Sequence, residues 1–252
     1  MQDLSTSPPQ LQSIDKAIVD AILSARIQPG TRLSENQLAA LFSVSRTRVR
    51  EAMMRLEARC IVTVSPRRGW FVSEPSAEEA RHVYGARRIV EYGLLRSMPA
   101  LTPSDLAALH RHLEDEKLAI ASADRQRLTC LMGDFHIRLA EIVGNPVLTE
   151  VLRDLTARTI LISLMYQSDF HALQSHEGHC AIVAALEANA PEQAAALAIR
   201  HLDEVEEGLD LTRQPDPLAD LRRSLQPETE AGPRPAADML KTTHRHTQKE
   251  NP

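Results

Sequence analysis

Apolar residues recur at helical spacing through most of the chain. Ile14, Ile18 and Ile22 follow one another at intervals of four and predict an amphipathic first helix. Proline and glycine together interrupt the backbone, so this helix should end before Pro29-Gly30.

Two short helices joined by a tight turn are predicted next. Ser34 and Ser45 are N-cap residues placed directly before apolar stripes. The predicted buried stripe of the first of these helices is Leu38, Leu41 and Phe42. The inner face of the second is Val49, Met53 and Leu56. This pattern is typical of a helix-turn-helix.

The periodicity then changes from helical to β-like. The β-prone runs 61–64 and 70–72 flank the segment 65–69, which contains a proline, two arginines and a glycine. These runs predict a β-hairpin with a basic tip. A helix-turn-helix followed by such a hairpin is the order of elements in a winged helix.

The rest of the patterned sequence is helical. A capping box at Ser76–Glu79 begins a long helix that should extend to about Met98. The further predicted helical segments are 103–121, 124–143, 146–167, 170–189 and 191–212.

These patterns divide the chain into four parts. We expect a flexible arm over 1–13, a winged helix-turn-helix over 14–74, a helical domain over 75–212 and a disordered tail over 213–252. The predicted fold class is mainly α, with a small β-hairpin wing in the N-terminal part and an all-helical bundle in the C-terminal part.

Composition excludes several classes of protein. Aromatic residues are 3% of the chain and glycines number nine, which argues against β-sandwiches and glycine-rich phosphate-binding folds. The longest charge-free apolar stretch, 159–168, is half the roughly 20 residues that a membrane span needs. We find no export signal, and an odd number of cysteines, three, fits a reduced cytoplasm. We therefore expect a cytoplasmic protein with no membrane partner.

Charge is distributed unevenly. Residues 14–74 carry ten Lys/Arg against six Asp/Glu, a balance of +4, although the whole chain has a net charge of −5. This skew favours a polyanion as the partner of the N-terminal part. On the third predicted helix Arg46 and Arg50 share one face, with Arg48 beside them, and the hairpin tip carries Arg67 and Arg68. The alternative is a solvated charged helix face and a basic turn.

The sequence PGTRLSENQLAALFSVSRTRVREAMMRLEA, followed by IVTVSPRRGWFV, resembles the winged-helix signature of the GntR family of bacterial transcription regulators. The resemblance implies that Arg46 and Arg50 contact operator DNA and that Gly69 lets the wing backbone approach the minor groove. The full set of predicted DNA contacts is Asn36, Ser45, Arg46, Arg48, Arg50, Arg67, Arg68 and Gly69.

Two positions depart from that signature. Arg48 stands where proline is usual, and Cys60 stands where a glycine usually ends the helix. If the position of Cys60 needs a positive φ, the cysteine should be strained by about 1 kcal/mol.

Three histidines lie on apolar stripes of separate predicted helices: His136, His179 and His201. Imidazoles that converge from separate helices can bind a metal ion. The alternative is three hydrogen-bonded core histidines, because no short ligand spacing links them. His176, three residues before His179, is a further candidate ligand on the same helix; the alternative for it is an exposed residue at the helix N-terminus.

The segments GDFHIRLAEIVGNPVL, GHCAIVAALEAN and AIRHLDEV resemble the histidine segments of the FCD effector domain in the FadR branch of GntR regulators. The resemblance implies a divalent metal, zinc or similar, held by one aspartate and three histidines and completed by a small organic acid. Met132 stands where that aspartate is usual, and Asp134 points about 200° away from His136 on a helix. Gly178 stands where an acidic residue often precedes the second histidine. We therefore expect an incomplete site of three histidines.

Two arginines are candidate contacts for an anionic effector. Arg87 matches an arginine that is frequent on the first helix of the FCD domain, and Arg158 is a weaker candidate. The alternative for Arg87 is an ordinary i,i+4 pair with Glu91.

These expectations combine into a homodimeric, ligand-responsive regulator that binds a palindromic DNA operator and a small carboxylate effector. A metal-dependent enzyme that uses the three histidines is the competing class. Against it, the chain contains no H-E-x-x-H, G-x-S-x-G or P-loop motif. A helical interaction module with an incidental winged helix is a third possibility.

Overall fold

The computed structural model describes residues 13–167 and 171–212, and these ranges form nine helices and three short strands. The predicted fold class is confirmed. The predicted arm over 1–13, apart from Ser13, and the predicted tail over 213–252 lie outside the described residues. No helix among the described residues is both long and apolar enough to cross a membrane.

The N-terminal elements form a winged helix-turn-helix, called here the head. They are α1 (Ile14–Leu23), β1 (Arg32–Leu33), α2 (Glu35–Phe42), α3 (Arg46–Ala58), β2 (Val62–Ser65) and β3 (Gly69–Val72). The six longer helices that follow form the bundle. They are α4 (Ala77–Arg96), α5 (Pro103–Ala121), α6 (Arg125–Val143), α7 (Pro146–Tyr166), α8 (Ala172–Glu187) and α9 (Pro191–Glu207).

Side-chain caps and prolines set where these helices begin. Ser45 accepts a hydrogen bond from the N–H of Arg48 at the start of α3, and Ser76 forms the predicted capping box with Glu79 at the start of α4. A proline occupies the first turn of α5, α7 and α9, where its missing N–H costs no helical hydrogen bond.

The sheet has one strand more than the predicted hairpin. Strands β2 and β3 pair antiparallel, and β1 adds to the other side of β3, so that Arg32 lies opposite Phe71. A strand of two residues is too short to give an alternating pattern, which is why the sequence does not predict it. Gly69 has a φ of +99°, so the turn into β3 needs a glycine there.

Two local details bear on the predictions for the head. The predicted burial of Leu41 is wrong, because its side chain is 75% exposed and Ala39 packs with Leu38 and Phe42 instead. The stripe that the short helix α2 packs on the core is therefore rotated from the predicted one, away from Leu41 and towards Ala39. Cys60 has a φ of +58°, the strained left-handed conformation that the departure from glycine predicted.

The head and the bundle share an apolar core. The cluster around α1, α3 and the wing includes Ile137 of α6 and Ala157, Ile160 and Leu161 of α7. Polar contacts lie beside this core, among them a hydrogen bond of 2.8 Å from Arg59 Nε to Asp154 Oδ2. The head is therefore packed directly on α6 and α7, the helices that contribute to the histidine pocket described next.

Candidate DNA-binding surface and histidine pocket

Residues of the helix-turn-helix and the wing line one concave surface. Five of the predicted DNA contacts border it, together with one arginine that the sequence analysis did not single out. They are Asn36, Arg46, Arg67, Arg68, Gly69 and the additional Arg32. The four arginines of this surface are exposed, so their charges are accessible to a phosphate backbone.

The remaining predicted contacts lie close to this surface. Ser45 and Arg48 are exposed and border a separate depression beside the start of α1. Arg50 is exposed and is paired with Glu35. No predicted DNA contact is buried.

Glu35 links the three parts of the head that border this surface. Its carboxylate accepts hydrogen bonds from Arg50 at 3.0 and 3.1 Å and from the indole Nε1 of Trp70 at 3.1 Å, and it lies 3.5 Å from Arg46 Nη2. The bonds from Arg50 and Trp70 lower the pKa of Glu35 to about 2. Sequence analysis missed this residue, because a carboxylate on a DNA-facing surface is recognisable only from its partners.

The three predicted histidines converge in the bundle. His136 of α6, His179 of α8 and His201 of α9 are all buried, and one ring nitrogen of each lies within 4.8 Å of the others. The ring centroids are 4.7 to 5.4 Å apart. No carboxylate among the described residues belongs to this group of potential ligands.

The hydrogen bonding of the three rings fits a metal ion. His136 Nδ1 lies 2.7 Å from Glu91 Oε2 and His179 Nδ1 lies 2.8 Å from Glu116 Oε1, which leaves the Nε2 atom of each ring for a metal. His179 Nε2 and His201 Nδ1 are buried without a hydrogen-bond partner. Such orphaned nitrogens are costly in a core of ordinary histidines, and a metal ion would satisfy a nitrogen that faces it.

Glu116 contacts three imidazoles. Besides His179, it accepts a hydrogen bond from His176 Nδ1 at 2.9 Å and lies 3.3 Å from His112 Nε2. Burial opposes ionisation of Glu116, but the neighbouring imidazoles of His112, His179 and His176 outweigh it and lower its pKa to about 2. His176 is therefore engaged by Glu116 and is not one of the converging ligands.

Arg87 borders the same cavity. It donates hydrogen bonds to Glu91 at 2.7 Å and to Thr159 Oγ1 at 3.0 Å. The buried Nη2 atom of Arg87 lies 2.7 Å from Glu91 Oε1, as an ion pair, but it makes no well-aligned hydrogen bond. Arg87 therefore forms the i,i+4 pair with Glu91 and also lines the pocket, so the two interpretations of this residue do not exclude each other.

The cavity is small, and both polar and apolar side chains line it. Its volume is about 80 Å³, room for several water molecules. Besides the three converging histidines and Arg87, the side chains with polar groups that line it are Tyr84, Thr129, Thr159, Ser163, Gln167, His171 and Ser175. Met132 also lines it, whereas Asp134 bonds Arg138 at 2.7 Å.

Arg158 lies elsewhere. It borders a different cleft, together with Cys60, Ser73 and Glu79, and does not line the histidine cavity. It directly precedes Thr159, and successive residues of a helix point about 100° apart. We therefore do not retain Arg158 as an effector contact.

Gly178 allows the close approach of α8 and α9 at the site. A Cβ atom at this position would lie 2.8 Å from His201 Nδ1. We expect Gly178→Ala to displace the imidazole and lower metal affinity by roughly tenfold or more, although alanine favours the helix by about 1 kcal/mol. Isothermal titration with Zn²⁺ measures the first effect and thermal unfolding the second.

Gly93→Ala is the matched control, because a Cβ there meets nothing within 4 Å. It should stabilise α4 and leave metal affinity unchanged. Equal metal affinity in the Gly178 and Gly93 variants would contradict the placement of His201.

Acid should destabilise the metal-free protein. Burial lowers the pKa of His136 from 6.5 to about 4 and lowers that of His201 well below 6.5. The unfolded chain then binds more protons than the folded one below pH 6.5, so stability is lost as the pH falls through this window. We expect the free energy of unfolding to drop by about 2 kcal/mol between pH 7 and pH 4.5 from His136 alone.

Urea titrations in the presence of a chelator measure this loss. His136→Gln should show a shallower pH dependence than the wild type. An unfolding free energy that does not change across this pH range would contradict the neutral, buried state of His136.

Comparison with known protein families agrees with the geometry of the head and of the bundle that contains the histidine pocket. Residues 10–72 match the model of the bacterial regulatory proteins of the gntR family, and residues 82–204 match the FCD domain. The first match covers the head and the second covers the three converging histidines.

Individual relatives span most of the chain. The HTH-type transcriptional repressor RspR of Escherichia coli K12 is 26% identical over 84% of this chain and 93% of its own length. The Nta operon transcriptional regulator of Aminobacter aminovorans is 28% identical over 71% of this chain and 85% of its own. A crystal structure of a GntR regulator from Rhodococcus sp. RHA1 is 29% identical, with a TM-score of 0.64 over 77% of this chain and 94% of its own.

The fold and these matches define a DNA-binding transcription regulator rather than a metal-dependent enzyme. The chain belongs to the GntR family of bacterial regulators and carries a C-terminal FCD domain, an arrangement consistent with the FadR branch.

Proposed function

We propose that this regulator acts as a homodimer on a palindromic operator and that a small carboxylate in the histidine pocket changes its affinity for DNA. A divalent metal, zinc or similar, held by His136, His179 and His201 assists the binding of the carboxylate. Because its target is chromosomal DNA, we also propose a cytoplasmic location.

The chemistry of the pocket supports an anionic effector. When bound, a divalent metal supplies a positive charge and open coordination positions for carboxylate oxygens. Arg87 lines the same pocket, and its guanidinium places positive charge beside the same anion. Thr159 and Glu91 hold the guanidinium in place, so that binding requires little reordering of this side chain.

The position of helix α7 supports a coupling between effector binding and DNA binding, because this helix contacts both the pocket and the head. This position is the observation that carries the proposal. Ile160 of this helix lines the pocket and also belongs to the apolar core of the head. One helical turn and a half earlier, Asp154 is bonded to Arg59 at the end of α3. A ligand that favours one position of α7 therefore biases the placement of α3, which carries Arg46 and Arg50. Such a coupling between effector binding and DNA binding typically amounts to about 1–3 kcal/mol.

Exposed apolar residues on α4 support a dimer. Ile89 is 77% exposed, and Tyr92, one helical turn later, is 43% exposed. A second copy of the chain that covers this face would remove both side chains from water. Two heads related by a two-fold axis would then read an inverted repeat in DNA.

Selection of binding sites from random duplex DNA, followed by footprinting, tests the DNA part of this proposal. We expect a short inverted repeat, with one dimer bound per site in analytical ultracentrifugation. A single asymmetric half-site bound by a monomer would contradict the dimer. An Ile89→Lys, Tyr92→Lys variant should be monomeric, whereas Leu118→Lys, a change of a similarly exposed leucine on α5, should remain dimeric.

A further inference from the structure

The three converging histidines are neutral ligands. The carboxylates nearest to them, Glu91 and Glu116, contact the Nδ1 atoms of His136 and His179 and not the Nε2 atoms that are left for a metal. A divalent ion held by three neutral imidazoles keeps its full double charge in a buried site, which makes binding unfavourable unless negative charge lies close by. Glu91 is already paired with Arg87, so its charge is compensated. Glu116 is fully buried, and among the described residues its partners are the imidazoles of His112, His176 and His179.

Glu116 also fixes the ring of His179. Its Oε1 accepts the Nδ1 proton of His179 at 2.8 Å, and Phe135 stacks on the ring with a centroid distance of 3.9 Å and an interplanar angle of 14°. The proton is thereby held on Nδ1, and Nε2 is left unprotonated, buried and without a partner. This is the state that a metal-binding imidazole requires.

We propose that Glu116 is the positioning residue of the metal site: it orients the imidazole of His179 and supplies the negative charge that the three-histidine ligand set lacks. This inference rests on the proposed metal binding at His136, His179 and His201. It assigns a function to a carboxylate that lies outside the ligand set, on a helix, α5, that contributes none of the three ligands.

The contacts of Glu116 dictate which substitution tests it. Both of its oxygens accept hydrogen bonds, one from His179 and one from His176. In Glu116→Gln the amide group can accept only one of these protons, and its NH2 group faces the other N–H. The variant removes the charge and one of the two acceptor oxygens while it keeps the size of the side chain. Glu114→Gln, an exposed position on the same helix, is the matched control.

The test is titration of the full, metal-free chain with Co²⁺, followed by its visible absorption spectrum, and with Zn²⁺ in competition. We expect Glu116→Gln to bind both ions roughly 10- to 100-fold more weakly than the wild type, with an altered Co²⁺ spectrum, and Glu114→Gln to match the wild type. Circular dichroism of the metal-free proteins checks that the fold is retained. Binding by Glu116→Gln within about threefold of the wild type would overturn the role of Glu116 and leave the metal site itself intact. If the wild type binds neither ion, the metal part of the proposed function fails as well.

A measurement on the wild type makes the test independent of how well the variant folds. Long-range ¹H–¹⁵N correlation spectra of the metal-free protein at neutral pH report which nitrogen of His179 carries the proton. We expect the Nδ1–H form, donated to Glu116. A His179 ring protonated on Nε2 would overturn the proposal, because that nitrogen could not then bind the metal.

Discussion

Replacing both Arg46 and Arg50 by alanine is expected to lower operator affinity by roughly 100-fold or more. Both guanidinium groups lie on the exposed face of α3, and a bidentate contact with a base edge typically contributes about 1–3 kcal/mol. The fold should survive, because the inner face of α3 is made by other side chains. The slope of log affinity against log salt should also fall by roughly 0.9 for each phosphate that these arginines neutralise in the wild type.

Glu35 complicates this prediction in a testable way. In the double variant its carboxylate loses both arginine partners and keeps the indole of Trp70, so that a negative charge faces the DNA. Adding Glu35→Gln should therefore recover part of the affinity. Arg200→Ala, which removes an exposed arginine paired with Glu204 on α9, is the control and should bind the operator as the wild type does. Equal binding by the double variant and this control would contradict DNA recognition through α3.

Removing one imidazole of the pocket is expected to abolish the effector response and spare basal DNA binding. His201→Ala is the cleanest choice, because the described contacts of His201 are ring contacts and its Nδ1 makes no hydrogen bond. His136→Ala or His179→Ala would instead leave Glu91 or Glu116 buried with one hydrogen-bond donor fewer. We expect His201→Ala to lose more than about 100-fold in Zn²⁺ affinity, since one of three protein ligands disappears.

Anisotropy of labelled operator DNA measures both properties of this variant. Without effector, its operator affinity should be within about threefold of the wild type. His110→Ala, an exposed histidine of α5, should keep metal binding and the effector response. An unchanged Zn²⁺ affinity in His201→Ala would show that the three rings do not form the site.

Local signals in the sequence were sufficient for most of the fold. Prolines and N-caps are read directly from neighbouring residues, and α5 spans the predicted 103–121 for this reason. The prediction of 212 as the end of α9 was wrong: the helix ends at Glu207, and the prediction passed over Gly208, a local stop signal that caps this end. The burial of Leu41 was mispredicted because, on a helix of eight residues, periodicity leaves open whether the packed face is centred towards Leu41 or towards Ala39.

The residues of the candidate sites likewise divide into those that the sequence identifies and those that it does not. The histidines and the recognition arginines stand out by residue type, spacing and family resemblance. Glu35 and Glu116 do not, because what distinguishes them is a partner 15 or more residues away on another element. Arg158 shows the converse, since one position along a helix separates a side chain in the pocket from one in a different cleft.

The measurement that most directly tests the account is the operator affinity of the Zn²⁺-loaded wild-type protein, titrated against a panel of small mono- and dicarboxylates. The account predicts that at least one of them changes the affinity by roughly 5- to 150-fold and that His201→Ala does not respond to it. The same operator affinity with every carboxylate of the panel, or an equal response in His201→Ala, would contradict it.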